Sequence, residues 1–178
     1  MTWTRALPWI ALLLVAGLVL GGVRLPAGLG LGDGAPALTP GGSAQASVVR
    51  VIDGDTIVVS LGGARQERVR YVGMDTPETV KPDTPVQCWG LAAHALNARL
   101  LAPGARVTLR FDRELRDRYG RLLAYVYRAA DGLFVNAQLV RDGAARTLTI
   151  APNTGHEAEL TRLQAGAQAA RRGLWGAC

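Results

Sequence analysis

The sequence predicts an α+β domain in which short strands close, or nearly close, into a small Greek-key barrel with helices at one end. Three observations predict it. Segments of about six residues, Val/Ile-rich or alternating in polarity, come first and are separated by Gly, Asp or Pro. Helical spacing with recognisable stops dominates the C-terminal part. No internal repeat is visible.

Ser47 to Ile52 and Thr56 to Leu61 read as strands, and Gly62-Gly63 is a hairpin signal. Gln66 to Val72 alternates charged and apolar residues, as a half-buried third strand does. Met74 to Gln87 carries Pro77, Pro82 and Pro85 and reads as a loop. Gly90 to Leu101 shows helical spacing at Leu91, Ala95, Leu96 and Leu100, and Pro103-Gly104 ends it. Arg106 to Phe111 alternates with Val107, Leu109 and Phe111 on one face, and the charged stretch Asp112 to Gly120 is expected to be exposed. Leu122 to Arg128 is a further strand, closed by an Ala-Asp-Gly turn. Val135 to Asp142 is a short helix stopped by Gly143. Asn153 or Thr154 can cap a last helix running to about Arg172.

The N-terminus stands apart. After Arg5 comes an apolar run of about 17 residues, Leu7 to Val23, close to the lower limit for a membrane span. Residues 1–24 read as a signal peptide or signal anchor, residues 25–45 as a Gly/Pro/Ala tether, and 46–178 as the folded domain. Ala44-Gln45-Ala46 lies far past the apolar run for a cleavage site, which favours an uncleaved anchor. Either route places the domain outside the cytoplasm, secreted or tethered. The two cysteines, Cys88 and Cys178, suit that compartment. A disulfide would tie the tail to the junction after Glu78; two free thiols are the alternative. The two histidines, His94 and His156, stand at no zinc spacing with them and read as structural residues. Trp175 reads as an anchor for the tail.

Net charge is +6, and Lys81 is the only lysine, so the positive charge is almost entirely arginine. Guanidinium stays charged at working pH and forks onto phosphate, and a basic chain attracts polyanions. A coding bias toward Arg, Ala and Gly accounts equally well for the general excess, but not for the arginines inside the motifs.

Three strings carry chemistry: Asp53-Gly54-Asp55-Thr56, Arg70 before Asp75-Thr76-Pro77-Glu78, and Asp117-Arg118-Tyr119-Gly120-Arg121. Asp55 opens the second strand and Asp75 closes the third, so both carboxylates fall at one sheet edge, where a hard cation could meet them. Alone, Asp53-Gly54-Asp55 is a plain turn; the paired Asp75 makes it more. Glu78, on a proline-stiffened loop, can accept a proton from water, or it is a solvated loop residue. Arg70 and Arg121 supply the donors that a pentacovalent phosphorus needs. Acids and guanidiniums are expected to face each other across a gap the size of one phosphate.

From about Ala46 to Trp175 the chain resembles the staphylococcal nuclease (thermonuclease) family. The resemblance runs through those strings and continues in Leu123 to Tyr127, Val135-Asn136, Leu139 to Gly143, Pro152-Asn153 and His156-Glu157. It implies a five-stranded OB-fold barrel with three helices and a calcium-dependent nuclease acting on DNA and RNA, single strands preferred, as a monomer. It implies Ca²⁺ on Asp55, Asp75 and the Thr76 backbone carbonyl, with Asp53 orienting water around the ion. So few protein ligands imply weak binding, on the order of 10⁻⁴–10⁻³ M. Glu78 takes the place of the general base, Arg70 and Arg121 of the phosphate clamps, and Tyr119 with Arg118 of substrate contacts. Relatives leave 3′-phosphate ends. Leu148 and Ile150 stand where the type member has tyrosines, which removes an aromatic platform for a base. Two further classes compete: a catalytically silent OB-fold module that only binds nucleic acid, and a phosphodiesterase for small nucleotides. The intact acids and arginines favour the nuclease.

Overall fold

The computed structural model describes residues 37–79 and 85–178. The expected membrane segment, most of the tether, and Lys81 lie outside the described residues. Among the described residues no helix is long and apolar enough to cross a membrane.

Five strands form the barrel: β1 (Ser43–Val51), β2 (Thr56–Ser60), β3 (Gln66–Tyr71), β5 (Arg106–Arg110) and β6 (Leu122–Arg128). The order β1-β2-β3-β6-β5 closes on itself through β1 and β5. Every pairing is antiparallel except β3 with β6, which run parallel with Val69 opposite Leu122 and Arg70 opposite Leu123. Strand alternation delivers Ile57, Val59, Val69, Val107, Leu109, Leu122 and Val126 to a fully buried interior. This is the expected five-stranded α+β barrel.

The domain begins earlier than expected. Ser43, Ala44 and Gln45, assigned from composition to the tether, lie in β1 opposite Arg110, Leu109 and Thr108 of β5. Alternation of small residues carries the strand there: Ala44 and Ala46 are buried while Ser43 and Gln45 are exposed. Leu38 also packs against the core.

A second correction concerns the stretch after β3. Residues Gly73–Asp75 form a short strand, β4, paired antiparallel with β7 (Arg146–Leu148). Gly73 adopts φ +81°, a conformation that L side chains rarely take, and lets the chain leave the barrel there. Asp75 therefore does not end β3; it sits on a separate two-stranded sheet opposite Arg146.

Among the described residues there are four helices: α1 (Gly90–Leu100), α2 (Val135–Arg141), α3 (Glu157–Ala169) and the four-residue α4 (Leu174–Ala177), which packs on α3. The apolar face of α1 is only partly the expected one: Leu96 and Leu100 pack against the core. Leu91 is 66 % exposed, and Ala93 and Asn97 are buried instead. Neither Asn153 nor Thr154 caps α3, which starts after His156. Asn153 is buried and accepts from the backbone N–H groups of Arg113 (3.0 Å) and Glu114 (2.8 Å), fastening the charged loop to the domain.

Candidate active site

The turn between β1 and β2 positions the first acids. The Asp53 carboxylate accepts the Asp55 N–H at 2.9 Å, closing an Asx turn. Asp55 is buried. Its Oδ1 accepts the Thr56 hydroxyl (3.0 Å), and its Oδ2 accepts both the N–H (2.9 Å) and the hydroxyl (3.0 Å) of Thr76. Those bonds pull the segment after β4 against the turn and place Asp75 beside Asp55. From below, Asn97 of α1 donates to the Asp53 carbonyl (3.0 Å) and accepts the Tyr71 hydroxyl (3.0 Å).

Arg70 alternates with buried Val69 and Tyr71 and leaves the barrel wall on its outer side. Its Nη1 donates to the carbonyls of Tyr71 (3.1 Å) and Met74 (2.9 Å) and lies 3.1 Å from Asp55 Oδ2. Its Nη2 donates to Asp75 Oδ1. The expected arrangement, with acids on one side and both guanidiniums on the other, is therefore corrected. Arg70 sits between Asp55 and Asp75 and ties them together, because the Gly73 kink brings β4 back over the end of β3. Arg121, immediately before β6, is held differently. Its Nε donates to Asp117 Oδ2 at 2.7 Å, and Asp117 Oδ1 accepts the N–H groups of Tyr119 (2.9 Å) and Arg121 (3.0 Å).

Asp53, Asp55, Asp75, Glu78, Thr76, Gln87, Arg70 and Arg121 line one cavity of about 300 Å³. Four carboxylates share it with two guanidiniums. Burial, then the neighbouring Asp55 charge, pushes Asp53 up to about 6. Partial burial raises Asp75 although Arg70 opposes it. The donors are hard oxygens with no histidine or cysteine, which suits calcium or magnesium rather than zinc. Among the described residues, no group of three or more His, Cys, Asp or Glu side chains forms a ready cage, so a cation here would draw on backbone oxygen and water as well.

A larger cavity of about 530 Å³ adjoins the first and shares Arg70 and Arg121 with it. Tyr119, Arg118, Leu148, Ile150 and Asn153 line its rim. Tyr119 is 69 % exposed, so it is not packed into the barrel. The Arg118 guanidinium lies 4.8 Å from its ring centre and donates to its hydroxyl at 2.7 Å. His156 takes no part: it packs against Tyr125 and Phe134, with Nδ1 2.9 Å from Glu159. Sequence reasoning missed Gln87 and Asn97, and it placed Asp117 in the third string without giving it a role. Only Asp117 had a local signal, an acid opening a tight turn into Arg121; the other two act through distant partners.

Cys88 and Cys178 form a disulfide, and Trp175 anchors the tail with the Arg146 guanidinium 4.7 Å from its ring centre.

Residues 68–177 match the protein family described as staphylococcal nuclease homologue. The thermonuclease of Staphylococcus intermedius is 45 % identical over 128 residues, covering 72 % of this chain and 74 % of the relative. The thermonuclease of Staphylococcus hyicus is 41 % identical, covering 72 % and 73 %. The endonuclease YncB of Bacillus subtilis (strain 168) is 41 % identical, covering 71 % of this chain and 59 % of the relative.

Proposed function

The chain belongs to the staphylococcal nuclease family, and on that premise we propose that this nuclease is a calcium-dependent endonuclease of DNA and RNA that leaves 3′-phosphate ends. One observation carries the reading: Arg70 and Arg121 border both cavities, so a phosphate between them has the acids on one side and room for a nucleotide on the other.

Asp55, Asp75 and the Thr76 carbonyl would hold the calcium ion, with Asp53 orienting its water. Bound there, calcium supplies positive charge beside the phosphate and offsets the repulsion that an anionic diester presents to a nucleophile. Glu78 takes a proton from the attacking water as its oxygen bonds to phosphorus. Arg70 and Arg121 donate to the phosphate oxygens, whose charge grows as the pentacovalent state forms. The bond from phosphorus to the 5′-oxygen breaks, the departing oxygen takes up a proton, and the phosphate stays on the 3′ side. The two carbonyl contacts of Arg70 Nη1 hold its guanidinium beside the acids.

The larger cavity suits one splayed nucleotide better than a duplex, which supports a preference for single strands. Leu148 (41 % exposed) and Ile150 (64 % exposed) offer apolar contact without stacking, which supports weak base preference. The disulfide and the apolar N-terminal sequence support a location outside the cytoplasm.

Digestion of an end-labelled single-stranded DNA, with calcium and with chelator, tests the proposal. Cleavage should need calcium and should yield 3′-phosphate termini. Undiminished cutting in chelator would remove the cation from the mechanism, and 3′-hydroxyl products would reverse the assigned leaving group.

A further inference from the structure

We propose that Gln87, secured by the Cys88–Cys178 disulfide, is the positioning residue for Glu78, so that turnover depends on the tail being oxidised. The proposal rests on the reading of Glu78 as the base.

Glu78 lies beyond the end of β4 and belongs to no strand or helix, so no ladder fixes its backbone. Gln87 does so instead. The Glu78 N–H donates to Gln87 Oε1 at 2.9 Å, and the Gln87 N–H donates to the Glu78 carbonyl at 3.0 Å. Both main-chain polar groups of Glu78 thus end on one residue. The carboxylate itself accepts the Thr79 N–H at 2.8 Å, so its place follows that of its own main chain, and the bonds to Gln87 hold that main chain only as well as the second segment is itself fixed.

Two devices fix it. On the helix side, the Gly90 N–H donates to the Gln87 carbonyl at 2.9 Å. A Cβ at Gly90 would stand 2.9 Å from the Glu78 carbonyl and 2.7 Å from Thr79 Cγ2, so the start of α1 lies directly against the Glu78 segment. On the tail side, Cys88 is bonded to Cys178, ninety residues away in sequence. Pro85, Val86, Gln87 and Cys88 are all exposed, so among the described residues little burial holds this stretch, and the covalent link ties it to the far end of the chain.

The far end of that link is rigid. Leu174 of α4 is buried, and its N–H donates to the Gly143 carbonyl at 2.8 Å. Trp175 lies against Arg146, which faces Asp75 across the β4–β7 pair. One short tail therefore braces the strand of the proposed metal ligand Asp75 and, through sulfur, the neighbour of Glu78. A dithiol reductant would undo the second brace: both protein sulfurs become thiols as the reductant loses two electrons and closes its own disulfide. The share of molecules with Glu78 in place would then fall, and kcat with it, while phosphate binding by the arginines stays.

The test uses the full chain and a labelled single-stranded oligonucleotide with calcium, at a temperature where melting curves show each form folded. Oxidised protein, protein in dithiothreitol, Cys178→Ser and Gln87→Ala are compared in the native and Glu78→Gln backgrounds. The expected result is a loss of about tenfold in kcat for the last three, with KM within twofold. In the Glu78→Gln background the same changes should alter the residual rate less than twofold, because the group they position is gone. Equal losses in both backgrounds would mean general loosening and would overturn the proposal, as would unchanged kcat on reduction. If Cys178→Ser does not fold, Gln87→Ala decides. A Glu78→Gln variant that cuts at the native rate would sink the base assignment itself; a slow one beside fully active reduced enzyme would sink only the strut.

Discussion

Arg121→Lys separates charge from geometry at the phosphate. In the native side chain Nε is committed to Asp117 Oδ2 at 2.7 Å, and Asp117 is itself locked by two backbone N–H groups. That leaves the two terminal nitrogens, with their four N–H bonds, for the cavity shared by acids and nucleotide. Lysine keeps the charge but carries one nitrogen, which can satisfy Asp117 or a phosphate oxygen, not both at their separate places. Loss of one preorganised donor of this kind costs about 2.7–4 kcal/mol in the transition state, a drop of about 10²–10³ in kcat. Folding should scarcely notice: the Arg121 side chain is 29 % exposed and its pair with Asp117 contributes at most about 1 kcal/mol. Single-turnover cleavage of a labelled oligonucleotide at saturating enzyme, beside a thermal melt, reads both numbers. A rate within threefold of native would refute the clamp. A melting temperature that falls far enough to account for the lost rate would refute the division between kinetics and stability.

Asn136→Ala should destabilise the domain by about 2–5 kcal/mol, because it strands two buried backbone groups, the Val126 N–H (3.0 Å) and the Val72 carbonyl (2.9 Å); urea unfolding would measure it, and a loss below 1 kcal/mol would contradict the assignment. Glu67 gives a pH-dependent prediction. Hydrogen bonding to Arg116, aided by Arg65, holds its carboxyl below the usual value of 4.5 when folded. Its contribution is therefore complete above about pH 4.5 and is lost as acid passes through the lowered native value. Arg116 is 40 % exposed, so the contribution stays below about 1 kcal/mol. Glu67→Gln should melt lower than native at pH 7, by at most about 2–4 °C, and converge with it once acid has passed below that lowered value; a gap that widens in acid would reverse the sign.

The barrel strands were legible because burial imposes a period of two on them, and the acids and arginines were legible because their strings are local. β4 and β7 were not. Each has three residues, too few for a period to show, and each exists only because the other lies opposite. The prolines between Met74 and Gln87 pointed to a loop, and the pairing with Arg146–Leu148 overrode that only at Met74 and Asp75; residues 76–79 and 85–87 belong to no strand or helix. On α1 the leucine spacing found only part of the buried face, Leu96 and Leu100, because the helix turns a polar residue, Asn97, inward to meet Tyr71 and Asp53. Hydrophobic patterning cannot foresee a buried asparagine whose partners lie on another element. Gln87 escaped notice for the same reason: its task is defined by a main chain nine positions away.

Arg70 and Arg121 are separated by a long excursion of chain, yet Arg70 stands on β3 and Arg121 immediately precedes β6, neighbouring strands that travel in the same direction and are locked Val69 to Leu122. The interval between the two guanidiniums is thus written into a rung of main-chain bonds, not into the connecting peptide. Insertions or deletions between β4 and β6 can reshape what the enzyme meets at its surface without altering that interval. A slip of a single rung would do the reverse: it would turn one arginine inward and leave every loop intact.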